Sequence, residues 1–180
     1  MFELEQFVAD CRLALTERSG LALQEVVARA VADPAALVSV LGEPSGCMNE
    51  VLFHDPDLTV LNLAWGPHQW TLPHNHNARA VIGMYAGGED NLFWRRLPEG
   101  RRIEAAGAKS LRAGDVTILG RDIIHSVTNP LNKLSCALHV YDGNFFAPDR
   151  SQWDAESLEE QPYDRTQVSP MFLQAAKARA

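Results

Sequence analysis

In the stretch "TLPHNHNARAVIGMYAGG", residues 71–88, His74 and His76 stand one residue apart, between a proline and an apolar run that ends in Gly87-Gly88. The chain has six histidines in all, so two of them at the mouth of one strand is a local concentration of imidazole. Alternate residues of a strand point to the same face. If that face lines a barrel interior, both rings converge on one point, which is the geometry of two neighbouring ligands of a metal ion. A solvent-exposed or internally hydrogen-bonded pair is the other reading that this spacing leaves open. His139 and Tyr141, in "CALHVY", have the same spacing and share a face with each other. A phenol beside an imidazole can donate a hydrogen bond while the ring orients it. The same pair can also be buried and bonded for stability alone.

The elements that must position these residues change character along the chain. Residues 2–40 read as helices: Phe2, Leu4, Phe7, Val8 and Cys11 recur at helical spacing, and Leu23, Val26, Val27, Ala30 and Val31 do so again after Ser19-Gly20. Pro34 fits the first turn of a third helix through Leu41, closed by Gly42. From about residue 48 the pattern shortens into runs rich in β-branched and aromatic residues, among them "NEVLFHD", "DLTVLNLAW", "ARAVIGMYAGGE", "NLFWRRLP", "GDVTIL" and "KLSCALHVY". Turn residues separate them every 8–12 residues, which indicates an all-β sandwich or barrel. A polar tail follows, with Trp153, Leu158 and Tyr163 as anchors and "SPMFLQAAKA" as a short terminal helix. The expected organisation is a helical segment at 1–45 packed on a barrel at 46–145, with an extension at 146–180, all in one domain.

Composition excludes several classes. A net charge of −7 argues against a nucleic-acid or anionic-membrane partner. Cys11, Cys47 and Cys136 are odd in number and lack CxxC spacing, which argues against a disulfide framework. "MFELEQFVADCRLAL" carries acids where a secretory signal carries bases, and no apolar run approaches the roughly 20 residues of a membrane span. The expectation is a cytoplasmic protein in a reducing compartment.

Two segments together resemble the two motifs of the cupin superfamily: glycine, HxH and a glycine turn in the first, then "GDVTILGRDIIHSVTNP", with His125 and, four residues on, Asn129. The resemblance implies a double-stranded β-helix barrel, or jelly roll, carrying N-terminal helices. It also implies a metal held by His74, His76 and His125. The usual cupin glutamate ligand falls at Ala80 or Val81, and Glu89 lies too far on to replace it. Three neutral imidazoles would leave a divalent ion its full charge and open positions, as catalytic sites do.

"LAWGPHQWTLPHNH", with seven residues between Trp-Gly and HxH, together with His139-x-Tyr141, is similar to the thiol dioxygenases of the cysteine dioxygenase family. "GGEDNLFWRR", "HVYDGNFF" and "RSQWDAESLEEQPYD" are like a bacterial branch of predicted metal-dependent double-stranded β-helix enzymes, and extend the likeness from about residue 48 to 164. That resemblance implies Fe(II), although zinc or nickel can occupy such a site in purified protein. It further implies O₂ as co-substrate, and His139 and Tyr141 as catalytic groups beside the metal. Three departures stand out. Ala137 replaces the serine that precedes the family's histidine, with Ser135 two residues further back. No cysteine at 80 or 81 can form a thioether with the tyrosine. The early strand that carries a carboxylate-binding arginine in the family reads "VLFHDPD", with His54 and no arginine. Arg79, Arg95 and Arg96 are the candidates to replace it, Arg79 first. Arginine suits a carboxylate because its planar fork donates two parallel hydrogen bonds. His68 reads as a loop residue, and Trp65, Trp70 and Trp94 as core or wall.

The expected function is a non-haem iron(II) dioxygenase that oxidises a small thiol, such as a thiol carboxylic acid, to a sulfinate. A cupin metalloenzyme with a non-thiol substrate and a metal-dependent small-molecule sensor are the alternatives. Cupins often form homodimers, and the resemblance allows a homodimer here.

Overall fold

The computed structural model describes residues 1–147 and 149–164, so the helix expected at 169–178 lies outside the described residues. Three helices come first: α1 (Leu4–Ala14), α2 (Leu21–Val31) and α3 (Pro34–Leu41). Phe7, Cys11 and Ala14 form the buried stripe of α1, and Leu23, Val26, Val27 and Val31 that of α2. α3 starts as its sequence suggests, with Pro34 in the first turn and the Asp33 carboxylate accepting from the Ala36 N–H at 3.1 Å.

The strands are β1 (Met48–His54), β2 (Leu58–Trp65), β3 (His74–Asn75), β4 (Arg79–Ala86), β5 (Gly88–Arg96), β6 (Ile103–Arg112), β7 (Val116–Leu119), β8 (Ile124–Thr128), β9 (Ser135–Asp142), β10 (Ser151–Trp153) and β11 (Glu160–Pro162). One sheet runs β1-β2-β9-β4-β7 and the other β11-β10-β3-β8-β5-β6. Every pairing is antiparallel. Between β2 and β9 the chain passes repeatedly from one sheet to the other, giving the four-strand orders 2-9-4-7 and 3-8-5-6. That interleaving is the double-stranded β-helix.

β2 is buried along its whole length, and β4 and β9 nearly so, because both of their faces are covered. On the outer face Val60, Val81, Tyr85 and Val140 meet the helices, and on the inner face Leu61, Ile82, Met84 and Ala137 fill the barrel. Strands covered on both sides read as continuous apolar runs rather than an alternation, which is how "LTVLNLAW" reads. Gly83 is what lets α2 lie close: a Cβ there would stand 2.5 Å from Cγ1 of Val27.

Two boundaries differ from the sequence reading. "ARAVIGMYAGGE" is broken at Gly87, which has φ of 68° and whose Cβ would stand 2.5 Å from the Leu134 carbonyl oxygen. Glu89 therefore belongs to the next strand. HxH is not carried by a full strand either: only His74 and Asn75 pair, and Asn77 has φ of 52°. The tail anchors do cross the barrel. Trp153 is fully buried on β10, with Leu158 packed against it.

Candidate metal centre

β3 is short, yet it sits between two partners, β8 on one side and β10 on the other. Its register sets His74 directly opposite His125. Directly opposed residues of an antiparallel pair have neighbouring side chains on one face. His76 follows at the end of the pairing and closes the triangle. Nε2 of His76 lies 3.2 Å from Nε2 of His74 and 3.2 Å from Nε2 of His125. The three ligand atoms all lie within 4.8 Å of one another.

The hydrogen bonds behind these rings decide which atoms face inward. Nδ1–H of His74 donates to the Leu72 carbonyl at 2.8 Å, and Nδ1–H of His125 donates to Oδ1 of Asn91 at 2.8 Å. A neutral imidazole protonated at Nδ1 carries a lone pair on Nε2. Two lone pairs thus face His76, whose single proton could serve at most one of them. Burial holds all three rings neutral: His74 is lowered to about 4, chiefly by burial and then by the Arg150 cation, and His76 and His125 well below 6.5, where neighbouring imidazoles and Arg150 add to burial. Nitrogen donors about 2.0–2.1 Å from one ion at octahedral or tetrahedral angles stand about 2.8–3.4 Å apart. The donor set, its tautomers and its spacing all suit a divalent cation.

Tyr141 stands against this cluster. Its ring meets His76 edge-on, with 5.0 Å between centroids, and stacks on Phe145 at 4.3 Å. Its hydroxyl lies 3.1 Å from Nδ1 of His139. His139 is buried and lowered to about 3, chiefly by desolvation and then by His74, while burial raises the Tyr141 phenol. Both groups are therefore neutral at physiological pH. Ser135 is engaged elsewhere: its hydroxyl accepts from the Gly88 N–H at 2.8 Å and pins the turn before β5. The three histidines, His139 and Tyr141 line one cavity with Leu61, Trp65, Phe145 and Tyr163, of about 50 Å³. A volume of that size holds a few waters or one small ligand.

The structure corrects the arginine expectation. Arg79 is on the outer face of β4, paired with Asp142 at 2.8 Å and donating to the Arg18 carbonyl beside Gly20. It turns away from the cavity because Ala80, not Arg79, faces the barrel interior. Arg95 is exposed and bonded to Glu104 at 2.7 Å, and Arg96 reaches Glu160 at 2.7 Å and lies over Trp153. His68 is an exposed loop residue bonded to Asn132, and His54 bonds Thr59 at 3.2 Å. Trp65 is a cavity wall, Trp94 is half-buried with its indole N–H on Ser126, and Trp70 is largely exposed.

Arg150 and Asn91, beside the site, escape the sequence reading, which takes Glu89 only as a ligand and sets it aside. Arg150 is 2% exposed and sandwiched between the rings of Phe145 and Tyr163, at 4.2 and 4.0 Å. It donates to the carbonyls of Asn75 and Phe145, tying the loop after β9 to β3. Glu89 and Asn91 are buried behind His125. Alternation from a strand starting at residue 88 would have placed those two on one face, whereas nothing in the local sequence of Arg150 announces its position.

No protein-family model matches the chain. Among solved structures it is similar to an uncharacterized conserved protein with a double-stranded β-helix domain from Klebsiella pneumoniae, at 16% identity over 58% of this chain and 79% of that one, TM-score 0.45. It is also similar to an RmlC-like cupin family protein from Methanocaldococcus jannaschii, at 9% identity over 58% and 86%, TM-score 0.49. Oxalate decarboxylase from Bacillus subtilis matches at 19% identity over 54% of this chain but 24% of that one, TM-score 0.43. The likeness is remote in every case, and the barrel is defined by its own strand order.

Proposed function

We propose that this chain is a non-haem iron(II) dioxygenase that adds both atoms of O₂ to the sulfur of a small thiol. The observation that carries the reading is the convergence of three neutral Nε2 donors with the Tyr141 hydroxyl in one cavity. The overall reaction balances without another reductant: RSH and O₂ give RSO₂H, the sulfur losing four electrons and the dioxygen gaining them. Ferrous iron held by His74, His76 and His125 supplies a thiolate-binding Lewis acid and a redox partner for O₂.

The chain's own groups do the rest. With its proton on Nδ1, His139 donates to the phenol oxygen and leaves the Tyr141 O–H free to point into the cavity. A phenol kept protonated by burial is a hydrogen-bond donor for the charge that develops on oxygen or sulfur. Leu61, Leu63, Trp65 and Phe145 give that point an apolar wall. Arg150 provides a fixed positive charge at the wall made by Phe145 and Tyr163, in place of the arginines proposed from sequence. That charge favours a thiol that also carries a carboxylate. Three free cysteines, two of them buried, suit a reducing compartment such as the cytoplasm. No helix among the described residues is long and apolar enough to cross a membrane.

The test is anaerobic reconstitution with Fe(II), followed by O₂ uptake against a panel of thiols and non-thiol acids, with products identified by mass spectrometry. Thiol-dependent uptake with a product heavier by two oxygens supports the reading. Uptake with non-thiols alone, or ligand binding without any product, overturns it.

A further inference from the structure

Glu89 is wholly buried. Its Oε1 accepts from Nδ2 of Asn91 at 3.0 Å, and its Oε2 has no hydrogen-bond partner among the described residues. Asn91 in turn accepts the Nδ1–H of His125. The register makes this chain of contacts. Phe93 lies opposite His125, so Asn91, two residues away on the same face of β5, reaches the imidazole on the diagonal, and Glu89 follows two residues beyond.

An amide side chain has two ends of opposite character. With its oxygen on His125, the nitrogen of Asn91 must face Glu89, where an acceptor is required. Rotated by half a turn, Asn91 would offer N–H to Nδ1 of His125 and set its own oxygen against the carboxylate. His125 would then hold its proton on Nε2, the atom that faces His76, and could not ligate. A carboxylate at position 89 excludes that arrangement through oxygen–oxygen repulsion, and a neutral amide there does not.

We propose that Glu89 is a positioning residue for the metal centre: its carboxylate fixes the orientation of the Asn91 amide, and Asn91 fixes the tautomer of His125. Once ionised, Glu89 also supplies a negative charge that three neutral imidazoles lack, relayed through Asn91 rather than placed as a ligand. The proposal rests on the three-histidine metal centre and is independent of the reaction run there. Burial raises the Glu89 carboxyl to about 7, the bond from Asn91 pulling against the rise and Asp90 adding to it, so a nearby cation has a large effect on its charge.

The experiment uses the metal-free full chain labelled with ¹⁵N-histidine, in which NMR reads the tautomer of His125, and Zn(II) affinity measured by competition with a chelator. Above about pH 8, where the Glu89 carboxylate is ionised, His125 of the wild type is protonated at Nδ1. In Glu89→Gln a population protonated at Nε2 appears, and zinc affinity falls about 10- to 100-fold, with an unchanged circular dichroism spectrum. Adding Asn91→Asp to that variant puts a carboxylate directly on Nδ1 of His125 and recovers most of the affinity. Unchanged tautomer and zinc affinity in Glu89→Gln overturn the proposal. So does a folded double variant that recovers nothing, since packing alone would then explain Glu89. A wild-type chain that binds no zinc overturns the metal centre itself, while the tautomer readout reports separately on the hydrogen-bond chain.

Discussion

The Tyr141 hydroxyl and Nδ1 of His139 are 3.1 Å apart, and Nε2 of His139 has no hydrogen-bond partner among the described residues. The imidazole has one proton to place. With that proton on Nδ1 the phenol oxygen is held and the O–H is free for the cavity, which is the arrangement that the proposed reaction requires. Tyr141→Phe removes this donor and little else. Iron content and folding should be retained, while kcat and kcat/KM fall together by about 10- to 1,000-fold. Steady-state O₂ uptake per bound iron measures it, and unchanged turnover would reduce Tyr141 to a packing residue.

Loss of any one of His74, His76 or His125 to Ala should strip the chain of metal. The barrel should remain folded, because its core is the apolar set on β2, β4 and β9. Elemental analysis after Fe(II) or Zn(II) loading should show one ion per chain in the wild type. Each single variant should hold far less. Stoichiometric metal in the triple variant would place the ion elsewhere.

Arg150→Gln should raise KM for thiols that carry a carboxylate by about 10-fold, the loss expected for a nearby positive charge that stands behind the Phe145–Tyr163 wall and does not touch the substrate. Neutral thiols should be much less affected, and metal content should not change. Arg79→Gln should behave like the wild type toward both, since its guanidinium is held by Asp142 and Arg18 on the outer face. Equal effects of Arg150→Gln on acidic and neutral thiols would make Arg150 a tie between the Asn75 and Phe145 carbonyls and nothing more.

The metal-free protein should lose stability in mild acid. His74 and His139 are lowered to about 4 and about 3, and His76 and His125 well below their ordinary range. For each of these groups the unfolded chain binds the proton first. Their contribution is therefore complete above about pH 6.5 and drains away as pH falls through the folded values. Between pH 7.5 and 5, His74 alone accounts for about 2 kcal/mol. Glu89 acts with the opposite sign: raised to about 7, it favours the folded chain below pH 4.5 and loses that contribution as pH rises. Glu89→Gln should thus steepen the acid loss seen by urea unfolding. A stability flat between pH 7.5 and 5 would show that these rings are not buried and neutral.

Much of this molecule is legible in its sequence, and the reason is periodicity. The stripes of α1 and α2, the doubly covered runs of β2 and β9, and the two-residue spacing of His139 and Tyr141 are local signals that survive folding. His74, His76 and His125 are brought together by a ladder between β3 and β8 that their motifs reflect. Arg79 misled because distance along the chain to HxH is not distance in space: one residue of strand places it on the far side of the sheet. Arg150 stayed hidden because its position depends on stacking between Phe145 and Tyr163, 18 residues apart in sequence, and on carbonyls of two separate segments. Such a site exists only after the tail has crossed the barrel.

β3 is only two residues long and has neighbours on both sides, His125 from β8 and Gln152 from β10. A pair of residues that short has no conformational preference of its own strong enough to persist, so its order is borrowed from β8 and β10. Ion retention and seating of residues 151–163 are then two readings of one equilibrium, and by linkage each must strengthen the other. The exchange half-life of an ion held by His74, His76 and His125 should therefore lengthen with every contact that seats β10 against β3, which makes that strand a clasp whose hold is measured in retained metal.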